Sequence, residues 1–218
     1  IDLAYRRLAT EAPEVRIMLA TYFGALGDNL DVALALPVAG LHVDLVRAPG
    51  QLELVARLAR KDMVLSLGLI DGRNIWRADL EAILDRIKPH VAGWPLDRIE
   101  IAPSCSLLHV PIDLEMETTL DADIKSWLAF AAQKQDELSI LGRALAEGRG
   151  GVAAELGAHA AEDVFATAHD DFLRSARIAA YCSRKVRPSG AGKSRPAVQP
   201  GAVPSTGMLA LPPASHLR

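Results

Sequence analysis

The 218-residue chain is 50% apolar and 23% charged, with a formal charge of −3. That length supports one good core or two small ones, and the charge balance offers no global pull on nucleic acid. Two cysteines, Cys105 and Cys182, stand far apart; they make no disulfide framework and no zinc-finger spacing, and suit a reducing, cytoplasmic compartment. No apolar run is long enough for a membrane span, and no signal-peptide pattern is read at the start.

Helical spacing runs from Asp2 to Glu11 and stops before Pro13. The apolar run Val15–Phe23 reads as a strand buried on both faces, broken by Gly24 and Gly27. Asp28 and Asn29 are placed to cap a short helix through Leu36. A second strand follows over Gly40–Val46, a helix over Gln51–Arg60 and a third strand over Met63–Ile70. The turn Asp71-Gly-Arg-Asn74 leads to a helix over Ala78–Lys88, then to a short alternating strand from Arg98 to Ala102. Strand and helix alternating four times predict a parallel sheet. Tyr22-Phe-Gly-Ala-Leu-Gly27 departs from a dinucleotide-binding glycine fingerprint.

Asp121 is read as the cap of one long helix through Glu147, with Ile124, Trp127, Leu128, Leu138, Leu141 and Leu145 at helical spacing. Gly148–Gly151 ends it. Residues 148–183 read as a helical or irregular extension, with Leu156, Val164, Phe165 and Leu173 as core positions. Residues 184–218 are rich in Pro, Gly, Ser and basic side chains, and predict a disordered tail.

Polar groups gather at one end of the four strands: Thr21 and Tyr22, then His42 and Asp44, then Asp71, Arg73 and Asn74, then Cys105, Ser106 and His109. In α/β folds that end carries the chemistry. His42 and Asp44 lie two apart and share a face, with Val43 and Leu45 turned toward the helices. A buried Asp44 needs a partner, and Arg73 is the expected one. Cys105 with His109 invites a nucleophile reading, that of a cysteine-dependent hydrolase. Against it stands a purely structural reading, in which Ser104, Cys105 and Ser106 satisfy a turn. Both stay open on spacing alone.

Five ordered stretches carry a resemblance. They are Thr21-Tyr-Phe-Gly24, Leu36-Pro-Val-Ala-Gly-Leu-His-Val-Asp-Leu-Val46, Leu65-Ser-Leu-Gly-Leu-Ile-Asp-Gly-Arg-Asn-Ile-Trp-Arg-Ala-Asp79, Ala102-Pro-Ser-Cys-Ser-Leu-Leu-His109 and Lys125-Ser-Trp-Leu-Ala-Phe130. From about Ile1 to Glu147 the chain resembles the N-terminal domain of cobalamin-independent methionine synthase. The resemblance implies part of a (β/α)8 barrel over residues 1–147, about four βα units of its C-terminal half.

That family moves a methyl group from a folate polyglutamate to homocysteine, with zinc held in a separate C-terminal catalytic barrel. The expectation is a fragment, inactive alone, that binds no cofactor and whose partner is the missing barrel; neither nucleic acid nor membrane is involved. A non-enzymatic scaffold or pseudogene product is the alternative. The family's sequence after the long helix is not expected to continue here. Tyr22, Asp44, Asp71, Arg73, Asn74, Cys105, Ser106 and His109 are the substrate- or interface-facing candidates, and none is assigned a catalytic role. The family's two barrels look like duplicates. Matched strand by strand to the zinc barrel's His, Cys, Glu and Cys ligands, His42, Asp44, Gly68 and Cys105 fall on vestigial metal positions, with no metal expected.

Overall fold

A computed structural model of the chain describes residues 1–159. They lie in the first of two compact units, Ile1–Arg174; the second, Ser175–Arg218, is outside the described residues. Also outside are the expected core positions Val164, Phe165 and Leu173, Cys182 and the expected tail.

The described residues form a mixed α/β fold around a parallel four-stranded sheet. After α1 (Asp2–Glu11) come β1 (Met18–Ala20), α2 (Leu30–Ala35), β2 (Gly40–Asp44), α3 (Gln51–Leu58), β3 (Val64–Ile70), α4 (Leu80–Val91) and β4 (Ile99–Pro103). Strand order is β1-β2-β3-β4, every pair parallel. Sequential strands joined through helices are the reason: parallel neighbours need a crossover, and each crossover here is a short helical segment. Then follow α5 (Ala122–Ser126), α6 (Ala131–Glu147) and α7 (Ala153–Ala158).

The two middle strands are buried at every position. Leu41, Val43 and Leu45 of β2 and its end join Leu65, Leu67 and Leu69 of β3 in one core with Leu52, Val55, Leu80, Ile87 and Leu141 from the helices. The opposite side of these strands carries His42, Asp44, Ser66 and Gly68, which follows from the alternation of side chains along a strand. Arg60, just past α3, donates to Leu34 O at 3.1 Å and Val38 O at 3.1 Å, and so closes the carbonyl end of α2.

Three expectations change. The first strand is shorter than Val15–Phe23 and is not buried on both faces: only Leu19 of Met18–Ala20 is half-buried. It pairs with β2 alone, so no described strand pairs with its outer edge.

The helix expected to end before Pro89 runs through it to Val91, capped at its start by Asp79, whose side chain accepts from Ala82 N. Pro89 removes one N–H from the ladder, but the buried Ile87 and Val91 keep the last turn packed on the core.

The long helix from Asp121 is two helices. Asp121 does cap the first, accepting from Ile124 N at 3.3 Å. Residues 127–130 then leave the helix to pair with residues 75–77: Arg77 N donates to Trp127 O and Ala129 N to Ile75 O, both at 2.9 Å. Phe130 is extended (φ −89°, ψ −172°) as α6 begins.

Candidate functional site

The strand ends do bring the expected residues together, but in two tiers. The inner tier makes loops: Asp44 is buried, Asp71 and Asn74 are partly buried, and Ser106 is exposed. Asp44, 1% exposed, accepts the backbone N–H of Val46 (3.0 Å) and Arg47 (2.9 Å) on Oδ1 and that of Phe23 (2.9 Å) on Oδ2. Its own carbonyl accepts from Gln51 Nε2 at 2.8 Å, while Gln51 Oε1 accepts from Leu26 N at 3.2 Å. Asp44 therefore does not pair with Arg73; among the described residues no ion pair joins them, because three backbone N–H groups already satisfy the carboxyl.

Asp71 likewise shapes its turn, accepting from Arg73 N at 2.8 Å and from Asn74 Nδ2 at 2.9 Å. Ser106 Oγ accepts from Leu108 N at 3.3 Å. His42 Nδ1 shares a hydrogen with Ser66 Oγ at 3.0 Å, and the buried Nε2 has no hydrogen-bond partner among the described residues. Burial pushes the His42 imidazole below its ordinary value, outweighing the backbone of Ser104 and the charges of Asp44 and Glu100.

The outer tier is exposed. Phe23 has the one positive φ among the described non-glycine residues, 70°. Its ring and that of Tyr22 are both about half exposed. The Arg73 guanidinium lies 5.0 Å from the Phe23 ring centre, the His109 ring 6.5 Å away and the Tyr22 ring 5.9 Å away. A left-handed phenylalanine is strained by about 1–2 kcal/mol, and such strain concentrates at sites where a side chain must be aimed. Phe23 is missing from the candidates read in the sequence. Its aromatic character was visible there; its backbone conformation was not.

Cys105 and His109 do not form a nucleophile and base. The thiol is 3% exposed, and burial pushes it above its ordinary range; a working nucleophile needs the opposite. Cys105 Sγ meets Ser106 O at 3.8 Å, whereas His109 is exposed and lies against Phe23.

Of the four positions the resemblance singles out, Gly68 offers no donor. A Cβ on Gly68 would stand 2.8 Å from Val43 O, 2.9 Å from Ser104 Cα and 3.1 Å from His42 Cε1, so no carboxylate can grow there. Asp44 is engaged by backbone, and among the described residues no three His, Cys, Asp or Glu side chains converge.

A second polar centre is buried along α6. Lys134 and Glu137, one turn apart on α6, are 1% and 0% exposed. Lys134 Nζ donates to Trp76 O (3.0 Å) and Asn74 Oδ1 (3.3 Å), and Glu137 Oε1 accepts from Ala78 N (2.8 Å). Burial lowers the lysine's pKa and raises the glutamate's. His159 stands nearby, its Nδ1 3.2 Å from Arg77 Nε and 3.8 Å from Glu137 Oε1. Burial first, and then the Arg77 charge, push it from 6.5 to about 4. Charges at helix positions otherwise apolar were the available signal.

Comparison with known proteins places this geometry. Residues 1–92 match the family described as cobalamin-independent synthase, N-terminal domain. The chain is 76% identical over 160 residues to a 5-methyltetrahydropteroyltriglutamate–homocysteine methyltransferase of Mesorhizobium japonicum, covering 73% of this chain and 21% of that protein. A protein of the same name from Nitrobacter winogradskyi is 56% identical over 200 residues (90% and 26%), and one from Rhodopseudomonas palustris 60% over 157 (72% and 20%). The chain thus spans between a fifth and about a quarter of the length of these relatives. A match covering 90% of the chain cannot end at Glu147, so the similarity runs on past the long helix, contrary to expectation.

Two outcomes follow. Gly68→Ala is expected to destabilise the chain by about 1–3 kcal/mol, because its neighbours at Val43 and Ser104 are backbone and cannot swing aside; a urea midpoint equal to that of the unaltered chain would refute the close approach. His159 is depressed in the folded state, so the folded chain binds fewer protons than the unfolded one between pH 6.5 and about 4. Stability from this side chain is present above 6.5 and lost as pH falls through that window. Raised Glu137 acts in the opposite direction, losing stability as pH rises. His159→Gln is expected to flatten the acid limb of urea midpoints measured from pH 7 to 4.

Proposed function

We propose that the described residues are about four βα units of the C-terminal half of a (β/α)8 barrel. That barrel would be the N-terminal, non-zinc domain of a 5-methyltetrahydropteroyltriglutamate–homocysteine methyltransferase, a cytoplasmic enzyme of methionine biosynthesis. The 76% identity over 160 residues to a relative of that name carries the reading. The unbroken parallel order β1-β2-β3-β4 is what one half of such a barrel would contain.

In this reading the chain supplies a scaffold and a face, and methyl transfer belongs to the catalytic part. The inner tier of Asp44, Asp71, Asn74 and Ser106 holds the loops. The outer tier of Tyr22, Phe23, Arg73 and His109 is presented to the catalytic barrel and to the folate polyglutamate and homocysteine handled there. Exposed aromatics beside an arginine are the side chains that dominate interface energies. Among the described residues no helix is long and apolar enough to cross a membrane.

Purified chain supplied with 5-methyltetrahydropteroyltriglutamate, homocysteine and zinc is expected to form no methionine above a metal-stripped blank; turnover would overturn the scaffold reading. The exposed face has its own test in the full-length Mesorhizobium japonicum relative. Replacing the residue aligned with Arg73 by Met is expected to lower kcat/KM about tenfold with the melting temperature unchanged. An unaltered kcat/KM would remove this face from the reading.

A further inference from the structure

Both outer edges of the sheet present open backbone. Ile17 O accepts from Ala39 N (2.8 Å) and Gly40 N (3.2 Å), and Thr21 N donates to His42 O (3.1 Å), so the odd-numbered residues of β1 face β2. Backbone groups of a parallel strand alternate sides, which turns those of Met18 and Ala20, and of Arg16 just before the strand, outward. At the other edge Ser104 N donates to Ile70 O at 2.7 Å, so Glu100 and Ala102 face β3 while Ile99, Ile101 and Pro103 face away. Outward N–H groups therefore stand on Arg16, Met18, Ala20 and Ile101. Pro103 has none to offer, and that of Ile99 already bonds to Leu96 O. No described group bonds any of the four. Exposed edges of this kind recruit another strand.

The two edges of one chain fit each other. An eight-stranded parallel barrel closes with a shear of about 8 residues, so each of two four-stranded halves supplies about four. Glu100 is level with Ser66, His42 and Ala20, and Ala102 with Gly68 and Asp44, hence with residue 22 beyond β1. An offset of four sets Ala102 of one copy against Met18 of the other, and Glu100 against Arg16. Every outward N–H then meets a carbonyl. Arg16 N reaches Ile99 O, Met18 N reaches Ile101 O, Ala20 N reaches Pro103 O, and Ile101 N reaches Arg16 O. Pro103 leaves only the Met18 carbonyl unanswered, and a carbonyl is the less costly group to leave so.

The side chains agree with the backbone. Met18, Glu100 and Ala102 share the face of His42 and Ser66, the inner face of such a barrel, and alternation puts Arg16 there as well. Arg16 and Glu100 are both exposed, and neither has an ion-pair partner among the described residues. The register lays one against the other in each seam, and sets the large Met18 beside the small Ala102. We propose that two copies of this chain close into a symmetric eight-stranded barrel, β1 of each parallel to β4 of the other, with Arg16 and Glu100 as the ion pair between copies. The inference rests on the half-barrel reading above. The rival two-fold pairing, β1 against β1, is antiparallel and leaves both β4 edges open.

Light scattering on the full chain is expected to give twice the mass of one copy. Amide exchange is expected to slow at Met18, Ala20 and Ile101 together as concentration rises. Arg16→Glu and Glu100→Arg, both on exposed side chains, are each expected to weaken dimerisation about tenfold or more, and the two in one chain to restore it to within about threefold. A monomer at ~100 µM overturns the dimer and leaves the half-barrel reading standing. So does a dimer that neither reversal weakens, or that the double reversal fails to restore. Protection at Met18 and Ala20 without Ile101 marks the antiparallel pairing and overturns it too. Filaments or larger rings overturn the half-barrel reading as well, since edges that pair without closing at eight strands do not belong to half a barrel.

Discussion

Three backbone N–H groups, from Phe23, Val46 and Arg47, converge on one buried carboxyl, that of Asp44. Two loops after adjacent strands are thereby tied to one side chain. Without it, three donors would stand in a desolvated site with no acceptor, each costing about 1–3 kcal/mol. Gln51 repeats the arrangement one layer out, bonded to the Asp44 carbonyl and to Leu26 N. The strained backbone of Phe23 exists because these bonds hold it, and the exposed ring stands beside Arg73 and His109 as a result. The outer face is thus a product of the inner one.

A comparable tie acts from the other side of the sheet end. Lys134 and Glu137 reach from α6 to the segment that leads from β3 into α4, through Trp76 O, Asn74 and Ala78 N. Buried ionisable groups of this kind contribute little net stability, since desolvation consumes the Coulomb gain. What they determine here is position. Residues 127–130 can pair with residues 75–77 only if the latter are held extended, and that pairing is what divides α5 from α6.

Which of these features the sequence reveals follows from their range. The alternation over residues 40–46 announces β2 because an apolar face and a polar face are written locally, and the same alternation puts His42 and Asp44 on one side. Hydrophobic spacing over Gln51–Leu58 announces α3 for the same reason. The break at Trp127 is not local: the residues keep helical spacing, and a partner about fifty positions earlier outcompetes it. The exposure of β1 depends on which neighbours flank it, which no pattern inside Val15–Phe23 encodes. At the site, residue types were legible and their partners were not. Arg73 looked like the counter-charge for Asp44, yet the nearer backbone took that role and released Arg73 to the ring of Phe23. Ser66, bonded to His42, was within reach of the period-two argument, since it occupies the same face one strand over.

Gly68 has a further bearing on how this fold can change. The β3–β4 register slips between Gly68 and Ile70, and the Ser104 backbone settles into the space where a side chain would have been. A side chain at this position meets main chain before it can contribute a donor. The loop after β4 would have to withdraw first, and that withdrawal confers nothing while glycine remains. Position 68 and the loop after β4 are thereby coupled: a functional group can be added at the one only if the main chain of the other is moved with it.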